Sequence, residues 1–135
     1  MKRSLDIAAV VLSALLLFGF AVLSLRGLLD PQQASARFGA QVTDAAGTLF
    51  DRVYLSRNLI IVLSGAVFLL TRQWTPLAIL VTATAALPVF DMSVLSLNGV
   101  TPPALHPAAL ALVAVTAALL WRRVAASRIQ SLGSD

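Results

Sequence analysis

Cysteine and glutamate are absent from this chain, histidine and tyrosine occur once each, and charged residues fill only 12% of its 135 positions. Without cysteine there is no disulfide framework, thiolate metal site, iron–sulfur centre or thiol nucleophile, so redox chemistry by the chain itself is excluded. One histidine and no glutamate leave too few donors for a zinc or di-iron site, which needs about three or four. No metal and no cofactor are expected. The shortage of charge bounds the class: a soluble domain is about 25% charged and roughly 45–50% apolar. Here the residues AVILMFWYC reach 59% and the mean hydropathy is +0.88. That leaves too little polar surface to cover a globule in water. Disorder is equally ill-suited, because disordered segments are poor in the Leu, Ile, Val and Phe that crowd this sequence. An integral membrane protein of one compact unit remains.

The formal net charge is +4, but the basic residues sit mostly at the ends of apolar runs, where they meet lipid headgroups, and no nucleic-acid partner is expected. A spanning helix needs about 20 mostly apolar residues to cross a hydrocarbon layer of about 30 Å. Four runs meet or approach this, at approximately 7–25, 54–70, 76–95 and 104–121. They are continuously apolar and lack the period-two alternation of a barrel wall. The first run is longer than the roughly 7–15 apolar residues of a cleaved signal peptide, and Ala34-Ser35-Ala36 lies too far beyond it to serve as a cleavage site, so a signal anchor is expected. The expected fold is all-α, an integral membrane four-helix bundle forming a single domain over residues 1–135.

Basic residues in short loops set the orientation. Lys2, Arg3, Arg72, Arg122, Arg123 and Arg128 fall on one side; Arg26, Arg37 and Arg52, offset by Asp30, Asp44 and Asp51, fall on the other. Both termini are therefore expected to be cytoplasmic, with Trp74 and Trp121 at the cytoplasmic interface. The connection between spans one and two reads as partly helical. Asp30-Pro31 is an N-cap with a first-turn proline, and Gly39 is a stop, giving a short helix of about two turns. Thr43 or Asp44 can cap a second helix that runs into span two with Leu49, Phe50, Val53 and Tyr54 on its apolar side. Such a segment can lid the outer mouth of the bundle. Asn98-Gly99 and Pro102-Pro103 mark a turn, and Ser131 to Asp135 reads as a frayed tail.

Ionisable residues inside a span cost about 2.5–3.5 kcal/mol on insertion scales and usually face the bundle interior in partnership. Arg57, Asp91 and His106 fall at similar depth, in the outer third of three different spans. Arg57 and Asp91 can pair there, holding the carboxylate ionised, with His106 completing the cluster. Tyr54 and Arg57 are three residues apart, while Tyr54, Asn58 and Gly65 follow a four-then-seven spacing, so phenol, guanidinium and amide can share an inward face. Gly65 and Ser64 allow close helix approach. Pro88 frees the carbonyl of Thr84, which then needs a donor such as Arg57, a polar ligand or water. Three readings stay open: a buried pair that fixes how spans two and three dock, side chains shallow enough to reach the headgroups, or proton transfer and ligand binding. For His106 the bland alternative is a hydrogen bond to the 99–103 loop.

No phosphate-binding glycine loop, nucleophile elbow, glycosidase carboxylate pair or dinucleotide fingerprint is present. The set Pro31, Ala34, Phe38-Gly39, Tyr54, Arg57-Asn58, Gly65, Pro88, Asp91, Gly99 and His106 resembles the DoxX-like small integral membrane proteins, in particular an uncharacterised bacterial branch, over about residues 7–121. That branch often reads Arg-Asp where this chain has Arg57-Asn58, so one carboxylate of any two-acid mechanism is missing. The resemblance implies a multi-pass protein of the bacterial inner membrane, with redox or quinone contexts in some relatives.

The leading functional expectation is an outer-side polar pocket for a lipophilic small molecule, lined by Tyr54, Arg57, Asn58, Asp91 and His106. In its enzymatic form His106 or Asp91 moves a proton on an isoprenoid-, quinone- or steroid-like substrate while Arg57 stabilises developing negative charge. Isomerisation or cyclisation needs no metal or thiol. The alternative is an accessory or structural subunit whose alanine-rich faces, such as Ala83, Ala85 and Ala86 or Ala108, Ala109, Ala111 and Ala114, meet a membrane-protein partner or a second copy. An oligomeric transporter ranks third, because no span carries charge near mid-depth.

Overall fold

In the computed structural model, residues 2–132 are described, with side chains described for residues 4–127. Six helices follow one another: α1 (Lys2–Leu29), α2 (Pro31–Phe38), α3 (Ala45–Leu70), α4 (Trp74–Thr84), α5 (Ala86–Leu97) and α6 (Leu105–Leu132). Four segments are long and apolar enough to cross a membrane: Ser4–Leu29, Ala45–Leu70, Trp74–Leu97 and Leu105–Ser127. The protein is an all-helical four-span bundle. With four spans, the start of α1 and the end of α6 lie at one end, here called the terminal end; the α1–α3 connection and the 98–104 turn lie at the loop end.

The helices outrun the apolar runs that announced them. At about 1.5 Å per residue, α1 and α6, 28 residues each, measure about 42 Å, well beyond a hydrocarbon core of about 30 Å. The surplus carries the charged ends. Residues 133–135, part of the expected tail, lie outside the described residues.

The expected caps form. Asp30 Oδ1 accepts from Gln33 N at 3.0 Å, Pro31 opens α2, and Gly39, at φ +109°, closes it in the left-handed region that a side chain would strain. Asp44 Oδ1 accepts from Gly47 N at 2.7 Å and starts α3, which then runs unbroken into span two. The third span is divided where a single helix was expected. Pro88 has no N–H to return to Thr84, and the chain tightens there, with Ala85 N donating to Thr82 O at 3.2 Å before α5 begins.

The spans form a closed ring: α1 packs on α3 and α6, and α4 packs on α3 and α6. The main core lies between α1, α4 and α6, built from Ala9, Leu77, Ala78, Val81, Val113, Ala117, Leu120 and Val124. Close packing between α1 and α3 depends on glycine: a Cβ on Gly65 would lie 2.5 Å from Leu17 Cδ2, and one on Gly27 would lie 2.6 Å from Leu55 Cδ1. Gly27, Leu55 and Ala34 meet at one level, so α2 starts against α1 and α3. Its far end reaches the other half of the bundle, since Gly39 abuts Pro103 and Leu95. The short helix thus lies across the loop end. Leu49, Phe50 and Val53, on the expected apolar side of α3, are exposed, because α3 turns a different face to α1.

Candidate functional site

The polar cluster at the loop end begins with the phase of α3. Leu55, Asn58, Val62 and Gly65 are buried, a spacing of three or four that defines one inward stripe. Tyr54 lies at its edge, half-buried, and Arg57 is exposed. One residue is about 100° of helix rotation, so the step from Asn58 to Arg57 carries the guanidinium off the inward face. The expected Arg57–Asp91 ion pair does not form, and Arg57 has no ion-pair partner among the described residues. Its place beside Asp91 is taken by His106.

His106 is the second residue of α6 and is 5% exposed. Its Nε2 lies 3.1 Å from the carbonyl oxygen of Phe38, the last residue of α2. Its Nδ1 lies 3.7 Å from Asp91 Oδ2. The Phe38 ring meets the imidazole edge-on, with centroids 4.9 Å apart and planes at 87°. The expected bond to the 99–103 loop is made by the backbone, His106 N donating to Pro103 O at 3.1 Å, while the ring reaches a partner 68 residues back along the chain. Tyr54 and Asn58 lie about one turn apart on α3, and the phenol stands near Asp91 and Asp51. The structure so gathers Tyr54, Asn58, Asp91 and His106 and leaves Arg57 outside.

This geometry constrains the protons. A carbonyl oxygen only accepts, so Nε2 must be the donor to Phe38. A neutral imidazole would then present its Nδ1 lone pair to Asp91. Nδ1 and the carboxylate oxygen stand beyond hydrogen-bond distance, so the contact is electrostatic; one proton held between the two groups would leave the pair neutral overall. In a membrane-buried setting that neutrality removes the cost of an isolated charge. Asp91 keeps 23% of its side chain accessible against 6% for His106, making the carboxyl the member a ligand can reach.

Neither of two cavities, of about 300 and 290 Å³, is lined by this cluster. Among the described residues no group of three or more His, Cys, Asp or Glu could hold a metal. Sequence reasoning missed Phe38 as the partner of His106, because a backbone carbonyl leaves no mark in residue identity. It also missed a second polar constellation at the terminal end, where Arg123 lies over the Trp74 ring at 3.9 Å from its centroid. Trp121 Nε1 donates to Thr82 Oγ1 at 2.9 Å nearby. The signal was available: a Trp opens span three and a Trp-Arg-Arg triplet closes span four on the same side.

Residues 17–120 match the family model described as Domain of unknown function (DUF4267), which covers most of the chain and every residue of the loop-end cluster. The chain belongs to that family. The match spans the body of all four helical crossings, from Leu17 in α1 to Leu120 in α6, and stops short of Arg123. No curated protein and no solved structure matches.

Proposed function

We propose that this membrane protein binds the polar head of a lipophilic small molecule at its loop end, with Asp91 and His106 as a proton-holding pair and α2 as the cover. The observation that carries the reading is the fixed His106 ring, with Nε2 committed to Phe38 and Nδ1 facing a reachable Asp91 carboxyl, an arrangement in which the two groups can share one proton. A bound carbonyl or hydroxyl placed at Asp91 can accept or return that proton, with Tyr54 and Asn58 supplying a hydroxyl and an amide to hold it. Isomerisation or cyclisation of an isoprenoid-, quinone- or steroid-like compound fits this inventory. Arg57 drops out of the mechanism, because it is exposed and has no ion-pair partner among the described residues. Under this reading the loop end is extracytoplasmic and the membrane is the bacterial inner membrane; the excess of basic residues at the terminal end and the resemblance to DoxX-like proteins support both.

A second reading, an accessory subunit without its own chemistry, is favoured by α3. Leu49, Phe50, Val53, Ile60, Leu63, Val67 and Leu70 are exposed along it, with Arg57 beside them. A membrane-protein partner bringing a carboxylate to that depth would match both features. Native mass spectrometry of gently extracted protein separates the two. A co-purifying small molecule that is lost in Asp91→Asn supports the binding site. A stoichiometric protein partner, retained in Asp91→Asn and lost in Arg57→Gln, supports the accessory reading and sinks the first.

A further inference from the structure

We infer that the terminal end carries a separate site for a zwitterionic phospholipid whose headgroup ends in a primary ammonium, built from Asp6, Arg123 and the apolar flank of α1. A cavity of about 300 Å³ lies between α1 and α6, lined by Asp6, Ile7, Val10, Val11 and Arg123. It opens toward the acyl region, since Ile7 and Val11 are 57% and 47% exposed. The guanidinium at its rim is fixed in place. Arg123 Nη1 donates to the Asp6 carbonyl at 3.1 Å, and the guanidinium carbon stands 3.9 Å from the centroid of the Trp74 ring. Three elements therefore hold one cation before any ligand arrives, which lowers the ordering cost of binding.

The guanidinium has donors to spare. Of its five N–H groups, one is engaged by the Asp6 carbonyl, and no ion pair joins Arg123 to any carboxylate among the described residues. A phosphodiester is the anion that planar fork suits best. Asp6 lines the same cavity and has no ion-pair partner among residues 4–127, whose side chains are described. One cation and one anion, unpaired with each other at one rim, complement a headgroup that carries both charges. Phosphate meets Arg123, ammonium meets Asp6, and an acyl chain descends along Ile7, Val10 and Val11. A purely anionic headgroup would gain the first contact and be repelled by Asp6. A trimethylated ammonium would lack the N–H donors that a carboxylate accepts.

The test uses the full chain in nanodiscs with lipids of identical acyl chains bearing ethanolamine, choline or glycerol headgroups, read by native mass spectrometry of retained lipid. The ethanolamine lipid is expected to be retained about three- to fivefold over the other two, the scale of a partly exposed ion pair. Asp6→Asn is expected to abolish that preference without loss of the bundle. Val10→Phe, which fills the void and leaves both charges, is expected to lower retention of all three lipids. Three results would each overturn the site: equal retention of the three headgroups by the native chain, a preference for the glycerol lipid, or an ethanolamine preference that Asp6→Asn leaves unchanged. Wild-type-like retention in Val10→Phe would overturn the placement in this cavity.

Discussion

Two glycines separate close helix approach from mere tolerance. A Cβ on Gly65 would stand 2.5 Å from Leu17 Cδ2, whereas one on Gly19 meets nothing within 4 Å. Gly65→Val is therefore expected to cost about 1–3 kcal/mol, the range for overpacking a tight contact, and to lower the thermal midpoint in detergent. Gly19→Val is expected to leave it within about 0.5 kcal/mol of wild type. Equal midpoints for the two variants would mean that α1 and α3 do not pack as described. Residue identity alone marks Gly65 as a close-approach site and Asp91 and His106 as partners in one cluster. It misplaces Arg57, since neighbouring residues point about 100° apart around a helix, and only the packing of α3 on α1 decides whether Arg57 or Asn58 turns inward. The Phe38 carbonyl was illegible for a different reason: every residue has one.

Helix ends were the most legible elements. Asp30-Pro31, Gly39 and Asp44 each carry a local chemical signal, and each terminates or starts a helix where that chemistry requires. Asp44→Ala removes the acceptor for Gly47 N and is expected to cost about 0.5–2 kcal/mol, seen as fraying of the first turn of α3 by amide exchange. The division of span three was half legible, because Pro88 announced a freed carbonyl but not where the chain would tighten. For α2 the decisive contact is His106 Nε2 to Phe38. His106→Ala removes that bond and is expected to loosen α2, so that exchange of the 33–38 amides, normalised to intrinsic rates, rises above the native chain. Unchanged exchange in the variant would mean that the bond does not hold α2 in place.

For the whole molecule, class and span number followed from composition, because 12% charge cannot wet a soluble surface. The order of spans round the ring did not follow, since each span is apolar on nearly every side. The large exposed hydrophobics of α1, α3 and α6, among them Phe18, Leu63 and Val115, show how little hydropathy distinguishes a lipid-facing position from a packed one in this setting.

The ring closes between the first and last helices, and α1 and α6 have their free ends together at the terminal end. A chain whose ends are neighbours can be re-spliced: a flexible linker joining position 132 to position 2, with new termini opened at Thr101, preserves every helix and every helix–helix contact of the native order. Such a circular permutant begins with the fourth crossing and moves both ends to the opposite face of the bilayer. It is expected to retain helicity and thermal midpoint in detergent, and its failure to fold would show that chain order, rather than the closed ring, is what assembles the bundle.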